Sequence, residues 1–322
     1  AFFIWQIVAN GAQAAISMFV VWRILPASDE RPRFTRKILC DVWRFSAYVS
    51  GNAIIGTLLT QLDKVILIKL LPLEKFGYYA LAWSVASGLW AIIIPINNAL
   101  FPRFVQLFEK KDDAPLVDLF HFASQTMMVA LVPVGIVLVF FSKEILLLWT
   151  GNQAVAEQTH VLLSLLVTGV VLNGISSVPA YVAYAFGWPQ LVMYVNLGQA
   201  VVLLPAIVFL VPHFGSTGAA VIWVVLNSTY LFVMMPVMFR RYLRAESRNW
   251  YTRDVGIPLV GVVLCGVLLS YLLPTYSTSI GRFLSLGGIL GVALIVSIVL
   301  TPMVRRWLAA VIFHREENGM NL

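Results

Sequence analysis

The stretch from Gln158 to Phe186, QTHVLLSLLVTGVVLNGISSVPAYVAYAF, contains no Asp, Glu, Lys or Arg. An apolar run of about 20 residues can cross the hydrocarbon core of a bilayer as one α-helix, so this stretch predicts a transmembrane helix. Eight further apolar stretches flank it on both sides: 2–25, 42–71, 76–102, 116–142, 188–211, 215–240, 255–273 and 280–304. The sequence therefore predicts an all-α, polytopic membrane helix bundle with nine transmembrane helices.

The basic residues are distributed unevenly between the two sides of this predicted bundle. Most of the 22 Lys and Arg residues fall in every second gap, namely in 26–41, 103–111, 240–254 and 305–322. The opposite side has only Lys69, Lys75, Lys143 and Arg282. Because Lys and Arg in short loops mark the cytoplasmic side, we expect a multi-pass protein of a bacterial inner membrane with its C-terminus in the cytoplasm.

The composition agrees with a membrane protein and excludes several other classes. Hydrophobic residues make up 60% and charged residues 11% of the chain, whereas soluble domains are about a quarter charged. The net charge of +7 follows from basic loops beside anionic headgroups, so we expect no nucleic-acid partner. Two Cys and four His residues lack the spacing of metal ligands. We therefore expect no metal and no cofactor.

Polar side chains in the first predicted span share one side of the helix. Gln6, Asn10 and Gln13 recur at helical spacing among Ile, Val, Phe and Ala residues. An amide stripe of this kind faces either a partner helix or a hydrated cavity rather than lipid. The sequence leaves both interpretations open for this helix.

The second span carries a sharper stripe that includes two charged residues. Asn52, Thr60 and Asp63 share one side, and Lys64 extends it. A charge at the bilayer centre costs about 2.5–3.5 kcal/mol on insertion scales. Because adjacent helical residues do not face each other, an Asp63–Lys64 ion pair is a poor explanation. The two residues either line a transport path or find separate partners on neighbouring helices.

Weaker polar stripes occur in three more spans. Asn173 and Tyr181 share one side of the fifth span, and Asn97 and Asn98 follow a proline in the third. His121 lies with two polar neighbours in the inner half of the fourth span. For His121 we favour a hydrogen-bonded core residue over a proton carrier. Several polar inner faces without a catalytic cluster predict a solvated chamber suited to a sugar-bearing substrate.

One segment resembles a known family. Residues 62–82, LDKVILIKLLPLEKFGYYALA, resemble the "LD(K/R)…LGxxxxGxYxxA" segment of the Wzx-type polysaccharide flippases of the multidrug/oligosaccharidyl-lipid/polysaccharide exporter superfamily. Residues 95–104, PINNALFPRF, are similar to the Pro–basic boundary that ends the next helix in that family. The topology of the whole chain is also similar to the second half of such a protein.

The resemblance implies fourteen helices in two six-helix lobes, followed by two additional C-terminal helices. On that mapping, 1–25 is the last helix of a truncated N-terminal lobe, 26–41 a cytoplasmic basic loop and 42–240 the C-terminal six-helix lobe. A second basic loop follows at 241–254, then two additional helices at 255–304 and a cytoplasmic tail at 305–322. The lobes would expose a central cavity alternately to each side of the membrane.

The implied function is the flipping of polyprenyl-diphosphate-linked oligosaccharide units for surface polysaccharide assembly, which is not an enzymatic reaction. The implied partners are this lipid-linked oligosaccharide, membrane lipids and other polysaccharide-assembly membrane proteins, with the transporter acting as a monomer. Asp63 and Lys64 would lie near the cavity mouth, with the amide stripes contacting sugar. The alternatives are a cation-coupled multidrug exporter of the same superfamily and a membrane polymerase or ligase of polysaccharide assembly.

Overall fold

The computed structural model describes residues 2–24, 35–272 and 279–319. Within those ranges the chain is helical and contains no β-strand, which confirms the all-α prediction. Most of the predicted loop 26–41 and the last three residues of the predicted tail lie outside the described residues. Seven described segments are long and apolar enough to cross a membrane: Phe3–Ile24, Leu73–Glu109, Asp113–Phe140, Gln153–Ala185, Pro189–Arg241, Arg244–Leu272 and Ser279–Leu300.

The helices follow one another with short connections. They are α1 (Phe2–Ile24), α2 (Arg36–Leu70), α3 (Leu73–Ser87), α4 (Trp90–Glu109), α5 (Asp113–Phe140), α6 (Ser142–Thr150), α7 (Gln153–Ala185), α8 (Pro189–Thr229), α9 (Met235–Arg241), α10 (Ser247–Asn249), α11 (Ile257–Leu272), α12 (Ser279–Leu300) and α13 (Pro302–Gly319). Tyr230–Met234 and Trp250–Gly256 are π-helical, and Arg244–Glu246 is a 3-10 turn. The predicted tail thus begins within a helix, α13.

The difference between nine predicted spans and seven long segments has two physical causes. Pro189–Arg241 has 53 residues, which as one straight helix would extend about 80 Å, more than twice the bilayer core. Gly215 interrupts it with φ 61° and ψ −147°, and Gln199 donates to the carbonyl of Leu226 at 2.9 Å. The segment is therefore a hairpin of two predicted spans. The second cause concerns α2, which contains the predicted span 42–71. It is not among the seven apolar segments because its charged and amide side chains lower its hydropathy.

The chain divides into two compact units, residues 1–44 and 45–322. In the first unit, every α1 residue of described burial is exposed. In the second unit, α7 is the central helix and packs against α3, α4, α5, α6 and α8. Its Leu163, Leu166 and Val167 are fully buried, so α7 forms the middle of the hydrophobic core.

Two glycines explain how closely the neighbours approach α7. A Cβ atom on Gly169 would lie 2.3 Å from Cδ1 of Trp223, and one on Gly174 would lie 2.3 Å from Cδ2 of Leu131. Such distances are shorter than non-bonded contacts of real Cβ atoms, so a larger residue at Gly169 would displace the Trp223 ring and one at Gly174 would displace the end of the Leu131 side chain. Small residues that bring helices together are typical of membrane bundles.

Candidate functional site

A hydrogen-bonded network of neutral side chains links α2, α7 and the α8 hairpin. Asn52 Nδ2 donates to Tyr184 Oη at 2.6 Å, and Asn196 Nδ2 donates to Asn52 Oδ1 at 2.6 Å. The Tyr230 hydroxyl donates to Asn196 Oδ1. Because each buried polar group finds a partner, the network avoids the cost of unpaired amides in an apolar surrounding.

A second group of polar side chains lies between α7 and the second arm of the hairpin, which follows Gly215. Asn173 Nδ2 donates to Asn227 Oδ1 at 2.8 Å, and Asn227 Nδ2 donates to the carbonyl of Trp223 at 2.8 Å. Gln199 Nε2 also donates to Thr229 Oγ1 at 2.6 Å. The two arms of the hairpin are thus joined by side-chain amides rather than by apolar contacts alone.

Two adjoining cavities open beside these networks. The first has a volume of about 140 Å³ and is lined by Trp90, Ile93, Ile94, Asn97, Asn173, Ser176, Ser177, Ala180, Tyr181, Tyr184, Val192, Tyr230 and Met234. The second has a volume of about 200 Å³ and is lined by Gly56, Leu59, Thr60, Trp90, Asn173, Asn196, Gln199, Trp223, Leu226, Asn227 and Tyr230. They share Trp90, Asn173 and Tyr230, so these three side chains form the wall between them.

The lining is chemically neutral. Among the described residues, neither cavity is lined by Asp, Glu, Lys or Arg. Asn and Gln side chains both donate and accept hydrogen bonds, and hydroxyls do the same, while Trp and Tyr rings offer flat apolar faces. Such a surface suits an uncharged ligand rich in hydroxyl groups. Each cavity is smaller than the 300–1,000 Å³ of ordinary ligand pockets.

The sequence-predicted residues fall into several groups. Thr60, Asn97, Asn173 and Tyr181 line a cavity, and Asn52 belongs to the network beside it. Asn98 follows Asn97 but is exposed and lies outside both linings. The stripe of α1 lies in the first unit and is exposed; its members are Gln6, Asn10 and Gln13.

Asp63 and Lys64 occupy a separate position on α2. Asp63 is buried, and its Oδ2 accepts a hydrogen bond from the Tyr79 hydroxyl at 2.6 Å. Lys64 Nζ lies 3.9 Å from the centre of the Trp83 ring. Both partners belong to α3, which gives each charge its own contact on a neighbouring helix. Neither Asp63 nor Lys64 lines the two cavities described above.

One detail of the sequence interpretation was wrong. Lys64 Nζ lies 3.5 Å from Asp63 Oδ1, although adjacent helical residues were expected not to pair. The long lysine side chain folds back along α2, where Nζ also donates to the carbonyl of Thr60. Its flexible four-carbon stem allows a contact that Cβ directions alone would exclude.

The sequence interpretation missed several residues that form the site. Asn196 and Gln199 lie three residues apart on one arm of the hairpin, and Asn227 and Tyr230 lie three residues apart on the other. Spacings of three residues place side chains on the same side of a helix. The stripe pattern used for the first two spans would therefore have identified all four.

Two comparisons with known proteins bear on the resemblance that the sequence indicated. Residues 2–156 match a family model described as "Polysaccharide biosynthesis protein". A protein of Shigella flexneri named "Putative O-antigen transporter" is 23% identical over 190 residues, which are 59% of this chain and 44% of that protein. This chain thus spans less than half the length of that relative. Both matches support the resemblance to the Wzx-type polysaccharide flippases that the sequence indicated.

Proposed function

We propose that this chain takes part in moving polyprenyl-diphosphate-linked oligosaccharides across the cytoplasmic membrane, by alternating access, for surface polysaccharide assembly. The family match and the name of the relative support polysaccharide transport. The structural observation that carries the proposal is the pair of adjoining cavities with an uncharged amide, hydroxyl and aromatic lining. On this proposal the protein is a transporter and not an enzyme.

A neutral polar lining inside a membrane bundle has a specific advantage for a sugar. Asn173 donates to Asn227, and Asn227 donates to the carbonyl of Trp223; a sugar hydroxyl can both donate and accept, so it can replace either partner. The exchange leaves no buried donor or acceptor unpaired, so entry of the ligand is not opposed by lost hydrogen bonds. Tyr181 and Trp90 would stack against the apolar faces of the sugar rings.

The size of the cavities sets a condition on transport. Neither volume, about 140 Å³ or about 200 Å³, accommodates an oligosaccharide. Because Trp90, Asn173 and Tyr230 border both cavities, displacement of these side chains would merge them. We infer that the substrate enters a wider form of this site, reached when the helices move apart.

We place the C-terminus in the cytoplasm and the protein in the inner membrane, working as a monomer with membrane lipids and other polysaccharide-assembly membrane proteins. The support is the run of Arg residues from the end of α9 to the segment before α11, because basic loops mark the cytoplasmic side. Its members are Arg240, Arg241, Arg244, Arg248 and Arg253. The diphosphate of the substrate requires a cationic contact, and Lys64, 20% exposed on α2, is our candidate for it.

The deciding experiment is complementation of a bacterial strain that lacks its own O-antigen flippase, using the intact gene that encodes this chain. Surface polysaccharide should return, and accumulated lipid-linked precursor should fall. The variants Asn173→Ala and Asn196→Ala, which change the cavities, should lower the polysaccharide at unchanged membrane abundance. Asn98→Ala is the matched control because it removes an exposed amide outside both linings. Wild-type polysaccharide from a double Asn173→Ala/Asn196→Ala variant would refute the site.

The multidrug exporter and the polymerase or ligase remain distinguishable alternatives. A carrier of cationic drugs is expected to present carboxylates to its cargo, and the described linings contain none. Efflux of a cationic dye by the intact protein, abolished by Tyr181→Ala, would favour the exporter. Precursor that is translocated yet not polymerised in the complemented strain would separate flipping from polymerase activity.

A further inference from the structure

A buried histidine in the first half of α5 lies between two carboxylates of the Arg-rich connection that precedes α11. His121 Nε2 lies 3.0 Å from Glu246 Oε2, and His121 Nδ1 contacts Asp254 Oδ2. Glu246 ends the 3-10 turn, and Asp254 belongs to the π-helical segment that follows. We call these three residues the His121 triad. The sequence interpretation favoured a hydrogen-bonded core histidine here, but sequence spacing did not reveal its two acidic partners.

Both hydrogen bonds of the triad can form only if it carries one proton more than a neutral imidazole with two ionised carboxylates. A neutral imidazole has one N–H donor and one lone pair, whereas ionised carboxylates only accept. With neutral His121, one ring nitrogen and one carboxylate oxygen would therefore face each other as two acceptors. Both contacts are satisfied when the imidazole is protonated, or when Glu246 carries the proton. Proton uptake changes the charge of the triad from −2 to −1 and leaves every contact paired.

Further contacts fix Asp254 but leave Glu246 as the weaker partner. Asp254 Oδ1 accepts from Gln125 Nε2 at 2.8 Å, and the Asp254 side chain is only 3% exposed. Glu246 Oε2 accepts from Asn249 Nδ2 at 2.9 Å, within its own short segment, and its side chain is 21% exposed. Loss of the proton would therefore break the His121–Glu246 contact and leave the Asp254 contact intact.

The triad lies where three parts of the chain meet. Gln125 Oε1 accepts from the backbone N–H of Met303 in the first turn of α13, at 2.9 Å, while Gln125 Nε2 holds Asp254. Trp250 Nε1 donates to Ser124 Oγ at 3.0 Å, so the π-helical segment is also bound to α5. The His121 triad thus joins α5 to the connection that leads into α11, beside the start of α13.

Other charged groups on the surrounding elements face elsewhere. Arg103 on α4 and Arg306 on α13 line an open cleft with Asp118, one turn before His121 on α5. Arg305 donates to a backbone carbonyl of α12. The remaining arginines nearby are exposed: Arg240, Arg241, Arg244, Arg248 and Arg253. Within the described ranges, none of these side chains forms an ion pair with Glu246 or Asp254, and no His, Cys, Asp or Glu group there has the arrangement of a metal site.

We propose that the His121 triad is a proton-binding site whose occupancy holds the turn Arg244–Glu246 against α5. The ligand is a proton from the solvent on the Arg-rich side, which enters and leaves through the partly exposed Glu246. When it is bound, the turn is attached to α5; when it is absent, the turn separates while Asp254 stays in place. This site is independent of the substrate and of the proposed flipping.

Hydrogen–deuterium exchange of the purified full chain in lipid nanodiscs tests the proposal. Amides 244–249 should lose protection by roughly tenfold or more between about pH 5 and about pH 8, after correction for chemical exchange, because one hydrogen bond to a charged group is lost. Glu246→Gln should abolish this step and stay protected, since its amide N–H can donate to a neutral imidazole. His160→Gln, which changes an exposed histidine bonded to its own helix, should retain the wild-type step.

Two results would overturn the proton site. The first is wild-type protection of amides 244–249 that does not change across this pH range. The second is a Glu246→Gln variant with a step equal to that of the wild type, because the step would then have another origin. His121→Gln provides a further check, since it removes the titrating ring and should show no step. None of these measurements depends on transport, so they are decided separately from the complementation experiment.

Discussion

The polar groups around the two cavities and those of the His121 triad differ in charge, and this difference separates two uses of polarity inside one helix bundle. Around the cavities, Asn173, Asn196 and Asn227 pair with neutral partners that a ligand could replace. In the triad, His121 is held between two carboxylates, and the arrangement depends on a proton. Neutral networks can open at small cost, whereas buried charges hold elements in place because unpairing them is expensive.

The largest effect should follow from removing a buried charge. Asp254→Ala should lower the free energy of unfolding by about 3–5 kcal/mol, because it leaves His121 and Gln125 without their common acceptor in a buried site. Thermal unfolding of the purified protein in detergent, followed by intrinsic fluorescence, measures it. Asp254→Asn is the conservative control and should lose less. Equal stability of Asp254→Ala and the wild type would show that the charged groups of the His121 triad stabilise the fold no more than the neutral groups around the cavities do.

A smaller loss is expected at the charged pair on α2. Tyr79→Phe removes the hydroxyl that donates to Asp63 and should cost about 1.5–3 kcal/mol, the range of a hydrogen bond to a charged group. The same unfolding measurement applies. In an Asp63→Asn background the cost should shrink, because the acceptor is then neutral. A cost that is unchanged in that background would mean that the Tyr79 hydroxyl has another role.

In the neutral network we expect little change in stability and a large change in function. Asn173→Ala removes the donor to Asn227 Oδ1 and should cost about 1 kcal/mol, as for a neutral hydrogen bond, yet lower surface polysaccharide strongly in the complementation strain. The unfolding temperature of the purified protein and the surface polysaccharide of the complemented strain should be measured for the same variant. A drop in both by the same proportion would show that Asn173 acts through stability alone.

The smallest effect belongs to the exposed ion pair at the opposite end of the bundle. Lys143→Ala separates Lys143 from Glu157, and exposed pairs contribute little because water screens them. No measurable shift in unfolding temperature is expected, at low or at high salt. A clear salt-dependent loss would show that surface pairs matter here and would weaken the contrast between buried and exposed charge.

The fold could be predicted from the sequence because hydropathy and helix length are local properties. The stretch 158–186 corresponds to α7 within a few residues. A reversal within Pro189–Arg241 was also predictable, since an apolar run of 53 residues is too long for a single membrane crossing. The start of α13 was not, because a helix that restarts at Pro302 after Thr301 continues the same apolar pattern.

The candidate site could be predicted only in part. Thr60, Asn97, Asn173 and Tyr181 line the cavities as helical stripes suggest, because periodicity tells which residues share a face. It does not tell which faces meet. The contact between His121 and Asp254 joins residues far apart in sequence, and no local pattern encodes that distance. The predicted roles of Gln6, Asn10 and Gln13 stay predictions.

The reversal at Gly215 has a consequence for how the protein is made. The two arms of the hairpin are separated by only a few residues, so we expect them to enter the membrane together. A positive φ of 61° is easily adopted by glycine and disfavoured for other residues. Should the arms fuse into one continuous helix, every loop after residue 215 would emerge on the opposite side of the bilayer. The reversal at Gly215 therefore keeps the loops that follow it on the side of the bilayer that their basic residues favour.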